Sequence, residues 1–159
     1  MSFLRFLMLL SLIVWVGGLI FFPVVAQTAF TVLPSTHLAG SVVGRSLGIL
    51  HWMGIFSGIV FLASSMLYNR LTVGAFRVFA GRHILVCLML GLTLISQFAI
   101  IPRMDALRAS VGGDISAVPA SESARARFDV LHVWSTRVEG GVLLLGLLAA
   151  YLTASALRA

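Results

Sequence analysis

The sequence predicts an all-α bundle of four transmembrane helices, up-down-up-down, with both termini on the same side. Three observations predict it. Hydrophobic residues make up 60% of the 159-residue chain and charged residues only 10%, where soluble domains carry about 25% charged residues. Mean hydropathy is +1.08. The apolar residues gather in four stretches, each close to the roughly 20 residues that cross a hydrocarbon core about 30 Å thick. These stretches alternate too little, and run too long, for barrel strands, and backbone facing lipid must bond internally, so each is a helix. A water-soluble enzyme and a disordered chain are both excluded. The single cysteine excludes a disulfide framework and any Cys-based zinc or iron–sulfur site. The net charge of +6 comes from arginines, most of which flank apolar runs, so it points to the lipid bilayer and not to nucleic acid.

The first span covers about 6–26. Arg5, the apolar run and Val24-Val25-Ala26 before Gln27 imitate a cleavable secretory signal. The run is longer than a signal core, and Gly17 and Gly18 read as helix-packing residues, so the span is expected to be retained. Pro23 kinks this helix or lets it finish. The second span covers about 47–68, and Pro34, Ser35 and Thr36 supply an earlier start signal. His51, Gly54, Gly58 and Ser65 share one of its faces, and Gly54-x-x-x-Gly58 continues a small-residue series from Gly40, Gly44 and Gly48. Small residues let helices approach closely in lipid. The third span, about 84–101, carries Cys87 as a small buried filler. The fourth covers about 138–157. Trp52 and Trp134 read as interfacial anchors.

The loop between spans two and three contains Arg70, Arg77 and Arg82 and no acid. Together with Arg5 and Arg158, these arginines are expected to hold that loop and both termini in the cytoplasm, with the chain in a bacterial inner membrane. The third loop, about 102–127, with Gly112-Gly113, Pro119 and an Ala/Ser-rich stretch, reads as a flexible excursion on the outer side.

Spans that alternate in direction bring most polar residues to the outer end. Gln27, Gln97, Asp105, Arg108 and Asp129 lie there, with His51, His132, Ser135 and Glu139. Phe128, His132, Ser135 and Glu139 are spaced four, three and four apart and so share a helix face. Glu139 either faces the bundle interior or caps it at the interface. His51 and His132 open two helices of like direction at similar depth, which leaves three readings. They belong to a polar network that fixes helix register, with His132 bonding Asp129 or Gln97. They ligate haem b iron axially. With Glu139 they hold a divalent ion such as copper or zinc. His83 marks the inner interface beside Arg82, an end that otherwise offers only arginines and Asn69. No phosphate-binding glycine loop or nucleophile elbow is present, and Ser135 has no oxyanion hole beside it, so no enzyme is expected.

Trp15-Val-Gly-Gly18, Phe21-Phe22-Pro23-Val-Val-Ala26 and Ala29-Phe30 resemble the first span of a bacterial four-span membrane family of unknown function. That family is related to eukaryotic transmembrane protein 205. The resemblance continues through Ala39-Gly40 to Gly44, Pro102-Arg103-Met104 and Phe128-x-x-x-His132-x-x-Ser135. Glu139 departs from it, since family members carry an uncharged polar residue there. The opening motif is also similar, over one helix, to copper-resistance-D proteins and to four-span haem-binding protoporphyrinogen oxidases, which implies haem or copper. The expectation is therefore a small membrane bundle that packs with itself or a larger complex, or binds a ligand at its outer polar cluster. The alternative is a haem- or copper-binding redox or transport protein using His51 and His132.

Overall fold

The computed structural model describes residues 1–74 and 81–157. Arg77 and Arg158, counted above toward the cytoplasmic side, lie outside them. Four long apolar helical crossings form an all-α bundle. The first is α1 (Ser2–Val32) and the second is α2 (Thr36–Val73). The third runs from α3 (Gly81–Ile95) through a π-helical turn (Ser96–Ile100) into α4 (Ile101–Ser110), and the fourth is α5 (Ser123–Leu157).

Local chemistry sets the boundaries. Pro34 disfavours helix at the residue before it, and Leu33 leaves α1 in an extended conformation, φ −81° and ψ 144°. Ser35 then caps α2, its Oγ accepting from Leu38 N at 3.2 Å. Gly74 ends α2 at φ 70°, a left-handed position natural to glycine. Pro23 does not end α1, which continues to Val32. The π turn has an equally local cause. Pro102 has no N–H to offer the carbonyl one turn back, and the ladder shifts so that Ile101 N bonds Ser96 O.

The helices outrun the predicted spans. At 1.5 Å per residue, the 38 residues of α2 measure about 57 Å, well beyond a hydrocarbon core of about 30 Å. The stretch read as a flexible outer loop holds α4, a 3-10 turn (Ile115–Ala117) and the start of α5. Its own small core explains this: Ile100, Met104, Ile115 and Phe128 are buried together, and hydrophobic residues at helical spacing override the Gly and Pro signals around them.

Neighbouring helices are antiparallel. α1 packs on α2, α2 on α3, α3 on α5, and α5 back on α1. The main core contains Met8, Leu12, Trp15 and Leu19 of α1, Leu47, Leu50 and Phe61 of α2, Val86 and Met89 of α3, and Val142 and Ala149 of α5. The glycines shape it. A Cβ at Gly54 would overlap the Trp15 indole, and one at Gly58 would come within 2.8 Å of that ring and 2.7 Å of Leu90. The Gly-x-x-x-Gly step thus receives an aromatic ring. Gly18 meets Leu50, whereas Gly17 is exposed with no neighbour in reach. Cys87 is exposed on the outside of α3, not buried as its apolar surroundings suggested, because it falls on the side of the helix opposite Val86 and Met89.

The end of the bundle holding the start of α1 and the end of α5 is called here the terminal end, and the opposite end the loop end. Large apolar side chains such as Phe3, Ile13, Phe56, Leu88 and Leu144 cover the outside, the pattern of a surface solvated by lipid.

Candidate functional site

A closed polar network crosses the bundle in its loop-end half. His51 of α2 is 1% exposed. Its Nδ1 lies 2.7 Å from Gln97 Oε1 in the π turn, and its Nε2 lies 2.7 Å from Glu139 Oε1 on α5. Ser96 Oγ, also in the π turn and fully buried, donates to the same carboxylate oxygen at 3.3 Å. The bulge explains how consecutive residues both reach the network: the loosened turn lets Ser96 and Gln97 project toward one interior. Because α2 and α5 are diagonal in the ring of helices, the His51–Glu139 contact passes through the centre.

As the atoms stand, both ring N–H groups donate, one to Gln97 and one to Glu139, which makes an imidazolium–carboxylate pair. Turning the Gln97 amide gives a neutral ring that accepts at Nδ1 and donates at Nε2. In either arrangement both ring nitrogens are used. The Glu139 side chain is 15% exposed, so it sits largely inside the bundle. One turn towards the middle on α3, Thr93 Oγ1 is buried with no hydrogen-bond partner among the described residues.

The other predicted residues lie elsewhere. His132 is exposed and its ring stacks on Phe128, with centroids 6.4 Å apart. It stands seven residues, about 10 Å, along α5 from Glu139, so the depth of His51 matches Glu139 and not His132. Asp129 pairs with Arg125 at 3.1 Å, and Gln97 is taken by His51, so neither bonds His132 as the register reading supposed. Asp105 is an exposed partner of Arg108 at 3.4 Å. The Arg108 guanidinium lies over the Phe128 ring at 5.0 Å and against Gly40 and Gly44, so those glycines admit a cation where helix–helix contact was expected. Ser135 is buried and Gln27 is exposed. Axial haem ligation requires a free nitrogen on each imidazole facing one iron. His51 offers none and His132 lies two turns outward, so these residues do not fit the group. Among the described residues no three His, Cys, Asp or Glu side chains converge where they could hold a metal ion.

A second polar cluster, at the terminal end, was not foreseen. Arg82 opens α3 yet is only 9% exposed; its Nε donates to Ser65 Oγ at 3.1 Å and its Nη2 to Asn69 Oδ1 at 2.9 Å. His83 Nε2 lies 2.7 Å from the same Ser65 hydroxyl. On the other flank of α2, Arg5 of α1 donates to Tyr68 Oη from Nε at 3.0 Å and Nη2 at 2.6 Å. The sequence held a signal for it: Ser65 and Asn69, four apart, continue the His51 face of α2, and Arg82-His83 open an apolar span.

A search of curated proteins and one of solved structures each gave no match. The model of one family, described as a domain of unknown function (DUF4149), matches residues 10–111, a stretch that includes His51 and Gln97 and ends before α5. On that match, across well over half of its length, the chain belongs to the DUF4149 family.

Proposed function

We propose that this protein is a helix-packing membrane module, acting as a homo-oligomer or within a larger membrane complex, and that its loop-end network fixes the register of three helices. The observation that carries this reading is the saturation of His51. A 1%-exposed imidazole bonded on both nitrogens, by residues of two other helices, has no donor or acceptor left for a substrate. Helices in lipid gain nothing from hydrophobic association, so a polar knot at a defined level is an effective way to select one packing. The same reading places the terminal end in the cytoplasm of a bacterial cell, on the density of arginines there. It also takes in the kinship with transmembrane protein 205, for which Trp15-Val-Gly-Gly18 and Phe128-x-x-x-His132 speak. The likeness to copper-resistance-D proteins adds no support, since it rests on one helix and the histidines do not pair.

The experiment is the unfolding of purified His51→Ala and His51→Leu/Glu139→Leu proteins in a mild detergent. His51→Ala is expected to lose about 2–4 kcal/mol, because it strands the carboxylate. The double variant recovers most of that loss, since it removes both polar partners together. A His51→Ala protein that unfolds like wild type would overturn the reading and return the network to ligand binding.

A further inference from the structure

The terminal-end cluster has a charge problem that the loop-end network does not. All five acidic residues of the chain, Asp105, Asp114, Glu122, Asp129 and Glu139, lie in the stretch 105–139. That stretch begins in α4 and ends at the loop-end network, so the terminal half of the bundle holds no acidic side chain. Arg82 is nine-tenths buried there, and its partners Ser65 and Asn69 are neutral. Among the described residues no ion pair reaches it, and its Nη1 meets no acceptor. Ser65 and Asn69 hold the guanidinium still without neutralising it. Arg5 is oriented in the same way by Tyr68, the residue adjoining Asn69, and its cation lies 5.2 Å from the centre of the phenol ring. Two guanidiniums, from α1 and α3, are thus fixed on consecutive residues of α2 at one end of a lipid-solvated bundle.

A cation held in place at the edge of hydrocarbon favours an anionic partner. We propose that Arg82 and Arg5 bind a phosphate group, and that the anionic phosphodiester of a membrane phospholipid is its source. A guanidinium fork held by hydrogen bonds on one edge presents its remaining N–H groups as a preset receptor for phosphate oxygens. The position suits a headgroup, because the flanks of α1 and α3 beside it expose apolar side chains such as Phe6 and Leu88 that acyl chains can cover.

The test compares thermal unfolding of the full chain in bilayer discs of phosphatidylcholine, in discs that also contain phosphatidylglycerol, and in phosphatidylcholine discs with added inorganic phosphate. Phosphatidylglycerol is expected to raise the midpoint by on the order of 5 °C. Arg82→Gln is expected to abolish the rise, while Arg103→Gln at the loop end keeps it. Should Arg82→Gln fail to fold, the exposed Arg5→Gln provides the same comparison and is expected to lose at least half of the rise. A rise with inorganic phosphate alone would keep the phosphate site and assign it to a free ion. An equal response in wild type and in both arginine variants, or none to either phosphate source, would overturn the proposal.

Discussion

The two polar clusters sit on one face of α2, from His51 to Ser65, about 21 Å apart along the helix axis. They solve the problem of polar groups in lipid in opposite ways. The loop-end network links its own members: imidazole, amide, hydroxyl and carboxyl groups bond one another across three crossings, and both ring nitrogens of His51 are used. The terminal-end cluster is oriented by hydrogen bonds and left unbalanced in charge, because hydroxyl and amide oxygens stabilise a guanidinium without cancelling it. Between them lies an apolar layer in which Trp15 fills the room left by Gly54 and Gly58 beside Phe61 and Met89. Hydrogen bonding and charge balance are separate requirements, and the two clusters meet them differently.

Single removals should expose that difference most clearly. Glu139→Leu is expected to cost about 3 kcal/mol, since it leaves a fully buried imidazole with an empty nitrogen. Arg82→Leu in phosphatidylcholine is expected to cost only about 1–2 kcal/mol, since it strands neutral acceptors and no counter-charge. Reversible unfolding of the two proteins in the same discs checks the ranking, and equal costs would erase the contrast. Thr93→Val sharpens it from the other direction. The Oγ1 of Thr93 is buried and unpaired among the described residues, so its removal should stabilise the protein by about 1 kcal/mol in the same assay. A loss of stability there would mean that the hydroxyl serves the adjoining network.

The smallest effect belongs to the loop-end surface. The Asp114 carboxyl is held below its ordinary value chiefly by the Ser116 hydroxyl and then by backbone N–H groups, with His37 adding to them. A lowered value means that the ionised form is favoured in the folded turn. Its contribution is complete above the ordinary carboxyl value of 3.8 and is lost as pH falls through the lower folded value. Amide exchange at Ser116 and Ala117 is expected to quicken only in strongly acidic solution, and Asp114→Asn should remove that pH dependence.

The bundle itself was legible because the bilayer leaves so few choices. Four apolar runs with a single internal acid, Glu139, must be helices, and their alternating direction makes neighbours antiparallel. The loop-end site was legible in part. His51, Gln97 and Glu139 could be named from their polarity and their common end, but not their pairing. His132 has the same spacing logic as Glu139 on α5, and nothing in the sequence says that one turns inward and the other stacks on Phe128 at the surface. Ser96 was invisible because an ideal helix does not bring it in alongside Gln97; the π turn forced by Pro102 does. Arg82 reads from the sequence as an interfacial charge because burial of a guanidinium cannot be read from composition.

The sequence alone determined the number of crossings, their helical nature and the confinement of every acid to the stretch 105–139, since each follows from the cost of exposing charge and unpaired backbone to hydrocarbon. Tertiary structure decided which polar residue meets which. Pairing depends on helix rotation and on relative depth, and both are set by packing contacts such as Trp15 against Gly54, which come from residues far apart in the chain.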